Sequence, residues 1–276
     1  MIKKKFGIIG KPLSHSLSPE LHNYWFKKYK IFGIYSLIEV EQNEIEAVIK
    51  KIKKNELQGI NVTVPYKQAV IPYLDLIIND AKETQSVNTI NLNKEGQVVG
   101  HNTDVYGLEH GFLNKLNIQD LKKNKVLILG AGGVTSSVIY ALLKIGVKRI
   151  FISNRTLKKA KDLQKIFNTI EIIEWEIMET EIESMDIIIN ATSLGLKDGD
   201  NFKREFKNTK SNLVYYDIVY NPQETTMIKE LKNRGIQTFN GLEMFIYQGQ
   251  KSFSLWNKIN PSLDEELKQI LISKLK

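Results

Sequence analysis

The chain has 276 residues, 42% of them hydrophobic and 25% charged, and a formal net charge of +8. That length is enough for a sizeable core and divides more readily into two domains than one. The absence of cysteine excludes disulfides, thiolate nucleophiles and zinc–thiolate sites and is the usage expected of a cytoplasmic protein; no apolar run approaches the ~18 residues of a membrane span, and the N-terminal M-I-K-K-K-F-G-I-I-G reads as a strand rather than a signal peptide.

Residues 6–10 form a compact apolar strand, and the loop K-P-L-S-H-S-L-S-P-E follows. Ser18 is expected as an N-cap with Pro19 in the first turn of a helix running through E-L-H-N-Y-W-F-K-K-Y. A strand over 34–40 and a helix over 43–54, with Ile45, Val48, Ile49 and Ile52 on one face, come next. Gly59 then opens G-I-N-V-T-V-P-Y-K. Its alternation predicts a half-buried strand whose polar Asn61 and Thr63 share one face. Pro65 ends that strand, and Y-K-Q-A-V-I-P-Y-L has helical spacing. Lys67 is therefore expected in the first turn of a helix, where the helix dipole would disfavour its charged form. Taken alone, Lys67 reads as a lysine on a solvated helix start.

The order β-α-β-α-β implies a parallel sheet. Residues 87–92 and 97–101 pair plausibly as a hairpin across N-K-E-G, and a helix is expected from Asn102 to about Lys115. Asp104 falls at its start, where a carboxylate is often only a capping group.

A composition change marks the second half. K-V-L-I-L-G-A-G-G-V-T-S-S-V-I reads as strand, glycine turn and helix, and Gly130, Gly132 and Thr135 fit the dinucleotide fingerprint, with a phosphate at the helix N-terminus. The following strand ends in Asn154-Arg155-Thr156, with Lys158 and Lys159 behind and no acid for a ribose 2′-hydroxyl. A guanidinium grips a 2′-phosphate that an acid would repel, so NADP is favoured over NAD. Strands over 170–175, 186–190, 213–216 and 236–239 and a helix over 225–233 follow. N-A-T-S-L-G and D-I-V-Y-N-P leave strand ends where open α/β sheets bind ligands, and residues 197–212 form a polar tract. Helices over 242–257 and 263–276 close the chain; if they return to the first unit, a small ligand would bind in the cleft between domains.

The positive charge lies mostly in short pairs, such as Lys27-Lys28, Lys50-Lys51 and Lys53-Lys54, which read as solvated helix faces rather than a nucleic-acid or membrane surface. His15, His22, His101 and His110 lack ligand spacing, and no metal site is expected.

Several motifs stand in order over nearly the whole chain: G-K-P-L-S-H-S-L-S-P-E-L-H-N from Gly10, G-I-N-V-T-V-P-Y-K from Gly59, S-V-N-T-I from Ser86, G-H-N-T-D-V-Y-G from Gly100, G-A-G-G from Gly130, N-R-T from Asn154, N-A-T-S-L-G from Asn190, D-I-V-Y-N-P from Asp217 and G-L-E-M-F-I-Y-Q from Gly241. Together they resemble the shikimate dehydrogenase family. The resemblance implies a two-domain α/β protein. Residues 1–103 with 241–276 would form a substrate domain on a mostly parallel sheet, and 104–240 a Rossmann-like NADP-binding domain, with the C-terminal helices returning to the former.

The implied activity is reversible, NADPH-dependent reduction of 3-dehydroshikimate to shikimate, in the biosynthesis of chorismate and the aromatic amino acids. Carried over by motif, Ser14 and Ser16 would hold the substrate carboxylate with Tyr220 nearby, and Asn61, Thr63, Asn88, Asp104 and Gln248 the ring hydroxyls. Gly130, Ala131, Gly132, Gly133 and Val134 would hold the pyrophosphate, and Asn154, Arg155, Thr156 and Lys159 the 2′-phosphate end. Thr192, Ile218, Gly241 and Met244 would line the nicotinamide side. Lys67 and Asp104 would be the catalytic pair, Lys67 carrying the alcohol proton.

Two departures stand out. The usual Ile-Gly-Ala before V-N-T is Thr84-Gln85-Ser86, and an arginine common three residues past G-A-G-G is Ser136, which removes a positive charge near the cofactor. The rival readings are an NAD-dependent quinate/shikimate dehydrogenase and a non-catalytic NADP-binding regulator or nucleic-acid binder; retention of both Lys67 and Asp104 speaks against the latter. Monomer and homodimer are both compatible with the sequence.

Overall fold

A computed structural model describes residues 2–196, 202, 206 and 208–275; the polar tract over 197–212 lies largely outside them. Contacts divide the chain into two compact units, one of residues up to Gly107 with Ile246–Lys274, the other built on Leu108–Phe245. The expected joins at 103/104 and 240/241 precede these divisions, which fall inside the helices Asp104–Gly111 and Leu242–Asn257.

The first unit is a six-stranded sheet of β1 (Lys4–Gly10), β2 (Gly33–Glu39), β3 (Gly59–Val62), β4 (Leu76–Ile77), β5 (Thr89–Leu92) and β6 (Val98–His101), in the order β2-β1-β3-β5-β6-β4. β1 pairs in parallel with β2 and β3, while β5 runs antiparallel to both β3 and β6. The sheet is mixed because the β5–β6 hairpin inserts between β3 and the short β4.

Both faces of this sheet are covered. The helix Ile45–Lys53 buries Ile45, Val48, Ile49 and Ile52 in a cluster with Ile9, Ile60, Val62 and Ile90, each such side chain contributing about 1.5–3 kcal/mol. On the other face Phe6 packs against Phe26 and Trp256, and His22 stacks on Tyr35 at 4.4 Å. β3 is therefore buried throughout rather than half-buried. Its alternation marks an apolar layer on one side and a buried polar network on the other.

Three local expectations are corrected. No α-helix follows Pro65: one isolated α-type turn, Val70 N donating to Tyr66 O at 3.1 Å, encloses Lys67, Ile71 N then donates to Gln68 O and Tyr73 N to Val70 O, and Ile71–Tyr73 form a 3-10 turn. Pro72 has no N–H to donate to Gln68, and a residue before proline disfavours the helical region. Lys67 thus lies in a run of tight turns and not in the first turn of a helix of its own. Ser18 is not a cap: the helix Ser18–Lys28 has Leu17 at that position, and the Ser18 N–H donates to Ser16 Oγ at 3.3 Å. The helix expected through Lys115 stops at Gly111 and resumes as a 3-10 turn, Leu113–Lys115.

The second unit is a wholly parallel sheet of β7 (Lys125–Leu129), β8 (Arg149–Ser153), β9 (Glu171–Ile172), β10 (Ile187–Asn190), β11 (Val214–Asp217) and β12 (Gln237–Phe239), in the order β12-β11-β10-β7-β8-β9. Val126 to Leu129 are fully buried, as a parallel strand covered on both faces requires. The order reverses between β7 and β10, and such a switch point opens a crevice at the carboxyl ends of the strands. No helix among the described residues is long and apolar enough to cross a membrane.

The last helix, Glu265–Ile272, is capped by Asp264, whose Oδ1 accepts from Leu267 N at 2.9 Å. The same carboxylate accepts from Tyr24 OH at 2.8 Å and Lys28 Nζ at 2.5 Å, tying the C-terminal helix to Ser18–Lys28. Asp264→Ala should lower stability by about 1–2 kcal/mol, read as a lower denaturation midpoint at unchanged slope.

Candidate active site

Lys67 and Asp104 meet although one lies in a turn and the other opens a helix. Lys67 Nζ donates to Asp104 Oδ2 at 2.5 Å, and the side chains are only 10% and 8% exposed. The turn is held against the segment leading into β5 by Val87 N, which donates to Lys67 O at 2.8 Å. Asp104 is not a capping group. Asn102 Oδ1 accepts from Asp104 N at 3.0 Å and Val105 N at 3.2 Å and caps the helix itself, which frees both oxygens of Asp104. Oδ1 of Asp104 accepts from Asn88 Nδ2 at 2.8 Å. Burying an ion pair costs several kcal/mol per ion in desolvation, so a buried pair at a strand end is better evidence of chemistry than of stability.

The other residues expected around a substrate fall into two groups. Ser14 is exposed, and Ser16, Thr63 and Gln248 are half-buried. Thr63 sits at the end of β3, its N–H on Ile9 O at 2.9 Å. Asn61 and Asn88 are buried, and Asn61 is engaged at both ends of its amide. Its Oδ1 accepts from Tyr35 OH at 2.7 Å, and its Nδ2 faces Asn88 O, Thr89 Oγ1 and Ser252 Oγ, each at 3.0 Å. Its donors are thus shared among protein acceptors, while Oδ1 keeps a second lone pair. Tyr220 belongs to the other unit, where its ring stacks on Phe245 at 4.6 Å.

In the second unit the turn after β7 is stitched by side chains. Gly130 has φ +103°, a conformation other residues rarely adopt, and a Cβ there would lie 2.8 Å from Thr192 Cγ2. Thr135 Oγ1 accepts from Gly132 N at 3.0 Å and donates to Gly130 O at 3.1 Å, which accounts for a threonine in the fingerprint. Asn154 Oδ1 accepts from Ala131 N at 3.0 Å, while its Nδ2 donates to Thr156 O at 2.8 Å. Asn154 therefore joins the glycine turn to N-R-T, and Arg155, Thr156 and Lys159 are exposed beside it. Two cations without a carboxylate at this strand end suit a 2′-phosphate. Gly241 is buried, and a Cβ there would lie 1.9 Å from Ile218 O, a backbone atom that cannot swing away. Gly133 and Val134 are half-buried and Met244 buried.

The sequence model of the shikimate dehydrogenase substrate binding domain matches residues 8–90, and that of shikimate / quinate 5-dehydrogenase matches residues 113–244. A shikimate dehydrogenase (NADP(+)) of Pelagibacter ubique is 46% identical over 98% of this chain and 99% of its own. The chain belongs to the shikimate dehydrogenase family. Among solved structures, shikimate dehydrogenase from Aquifex aeolicus superposes with a TM-score of 0.89 at 35% identity, covering 98% of this chain and 99% of that one. Shikimate 5-dehydrogenase from Thermus thermophilus, in complex with NADP(H) and shikimate, gives 0.87 at 26% identity, covering 99% and 100%.

Behind the shikimate dehydrogenase motifs N-A-T-S-L-G and D-I-V-Y-N-P lies a pair of residues not expected to matter. Asn190 Oδ1 accepts from Thr192 N at 3.0 Å and Thr192 Oγ1 at 2.6 Å, and its Nδ2 donates to Asp217 Oδ1 at 3.0 Å. Asp217 also accepts from Val219 N at 3.0 Å and Thr225 Oγ1 at 2.9 Å. Each ends an apolar strand, I-I-I-N and V-Y-Y-D, and that pattern is the signal that could have found them. Asn102, Thr89 and Ser252 carry no comparable signal, since each is a short polar residue whose partners are remote in sequence.

Burial pushes Asp217 up from 3.8 to about 6, against the hydrogen bonds from Thr225, Val219, Asn190 and Tyr215 that favour its charged form. Its folded value lies above the unfolded one, so its contribution to stability is greatest below about pH 4 and is lost as pH rises through about 6. Wild-type protein should lose about 2–3 kcal/mol relative to Asp217→Asn between pH 4 and pH 7, measured as the difference between their unfolding free energies.

Proposed function

We propose that this chain catalyses the reversible, NADP-dependent reduction of 3-dehydroshikimate to shikimate, with Lys67 and Asp104 handling the proton, in the cytoplasmic biosynthesis of aromatic amino acids. Membership of a family whose relatives are NADP-dependent shikimate dehydrogenases supports an oxidoreductase reading across the whole chain. The observation that carries the residue assignment is the buried 2.5 Å pair of Lys67 and Asp104.

When bound, the reduced cofactor NADPH would supply the hydride for ketone reduction, and its oxidised form would accept the hydride in the reverse direction. Ser14 and Ser16 hold the ring carboxylate, and Asn61, Thr63, Asn88 and Gln248 the hydroxyls. Lys67 donates a proton to the carbonyl oxygen as it becomes an alcohol and removes it in the reverse direction. Asp104 keeps the ammonium aimed and accepts from a neighbouring ring hydroxyl. The glycine turn from Gly130 to Val134 carries the pyrophosphate, and Arg155 and Lys159, beside Asn154 and Thr156, carry the 2′-phosphate. Thr192, Ile218, Gly241 and Met244 bound the nicotinamide side.

Lys67→Ala should lower kcat by 10²- to 10⁴-fold with KM little changed, the range for a lost proton transfer. Shikimate oxidation followed by absorbance of the reduced cofactor tests it, and near-normal turnover would remove Lys67 from the mechanism. The NADP assignment is tested separately. Arg155→Ala should raise KM for NADP about tenfold, equivalent to ~1.4 kcal/mol, and leave KM for NAD unchanged. A higher kcat/KM for quinate with NAD than for shikimate with NADP in the wild-type protein would instead favour the quinate dehydrogenase reading.

A further inference from the structure

Asn88 donates from Nδ2 to Asp104 Oδ1 at 2.8 Å, so the direction of its amide decides whether Asp104 meets a donor or a repelling carbonyl oxygen. The opposite end is fixed by donors. Asn88 Oδ1 accepts from Thr103 N at 2.7 Å and faces the hydroxyls of Thr103 at 3.1 Å and Thr89 at 3.2 Å. A flipped amide would set N–H against N–H at one end and oxygen against carboxylate at the other.

Behind Asn88 the network continues through groups with almost no contact with water. Thr89 and Ser252 are 0% exposed, and their hydroxyls are 2.7 Å apart. Asn61 Nδ2 lies 3.0 Å from both, and Ser252 Oγ donates to Gln248 O at 3.0 Å, one turn back along its helix. With its proton on Gln248 O, Ser252 accepts, and the single Thr89 proton has Ser252 Oγ, Asn88 Oδ1 and Thr103 Oγ1 within reach. In a buried network of this kind, losing a member leaves others unpaired.

We propose that Thr89 is a positioning residue: held by Ser252 and Asn61, its hydroxyl keeps Asn88 oriented with Nδ2 on Asp104, and through Asp104 it aims Lys67. This rests on the Lys67–Asp104 reading above. Thr89 itself does not touch the reacting atoms.

The test uses a substitution that keeps shape and removes only the hydroxyl. Thr89→Val should lower kcat for shikimate oxidation about tenfold with KM for NADP unchanged, and Thr89→Ser, which keeps the hydroxyl, should restore the rate. In an Asn88→Ala background Thr89→Val should cost nothing further, because its route runs through Asn88. Wild-type turnover in Thr89→Val, equal losses in Thr89→Val and Thr89→Ser, or the same loss with and without Asn88 would each overturn the proposal. If Thr89→Val does not fold, Ser252→Ala carries the same cycle. Asp104→Asn, measured alongside, separates the two levels: full activity there removes the underlying reading, whereas an impaired Asp104→Asn with an unimpaired Thr89→Val removes only the role of Thr89.

Discussion

The first unit is arranged around one electrostatic problem, how to keep an ammonium and a carboxylate together with little water. A buried ion pair loses several kcal/mol of hydration per ion, and its mutual attraction repays that only when the remaining lone pairs and protons are also matched. Asp104 meets the condition because Asn102 relieves it of the helix cap and Asn88 takes its second oxygen. The polar layer beneath β3 follows from the same requirement. Asn61, Thr89, Thr103 and Ser252 would be costly in an apolar core, yet each is paired, so the layer specifies one arrangement.

The second unit solves a different problem with similar means. Its loops must present backbone to an anionic cofactor while keeping their own polar groups satisfied. Short side chains at strand ends do this: Asn154 holds the turn after β7, Thr135 closes that turn on itself, and Asn190 with Asp217 holds the loops after β10 and β11. Asp217 carries the expense, since its burial raises the free energy of its charged form. The carboxylate nevertheless gathers four donors that an apolar residue could not.

The fold was largely readable because its strands are apolar runs punctuated by glycine, proline and asparagine, and because the dinucleotide turn has a fixed spacing. The turn at Lys67 was not. Tyr66, Val70 and Leu74 repeat at helical intervals, so periodicity alone points to a helix, and only the missing N–H of Pro72 argues otherwise. The burial of Asn61 was hidden for another reason. A polar residue alternating with Ile60 and Val62 looks solvent-facing, yet here the second face is covered by Tyr35 and Ser252, which are remote in sequence. Lys67 and Asp104 were paired by family resemblance, since 37 positions apart on different elements no local pattern joins them.

The departure at Thr84-Gln85-Ser86 shows how a changed motif can keep its geometry. Gln85 has φ 49° and ψ 39°, the left-handed region where the family's usual glycine has no steric penalty. For another residue that conformation costs roughly 1–2 kcal/mol. Gln85 Nε2 donates to Lys82 O at 2.7 Å, a bond at the end of the short helix Asp80–Thr84 worth about 0.5–1.5 kcal/mol, which offsets much of the strain. Thr84 contributes what an isoleucine could not: its Oγ1 accepts from Asn102 Nδ2 at 3.0 Å, beside Ser86 O at the same distance. Asn102 in turn caps the helix that carries Asp104. The substituted turn thus reaches the ion pair from behind with one side-chain hydrogen bond, from Asn102 to Thr84, that an isoleucine could not accept, beside a bond to the backbone carbonyl of residue 86 that any residue there would offer.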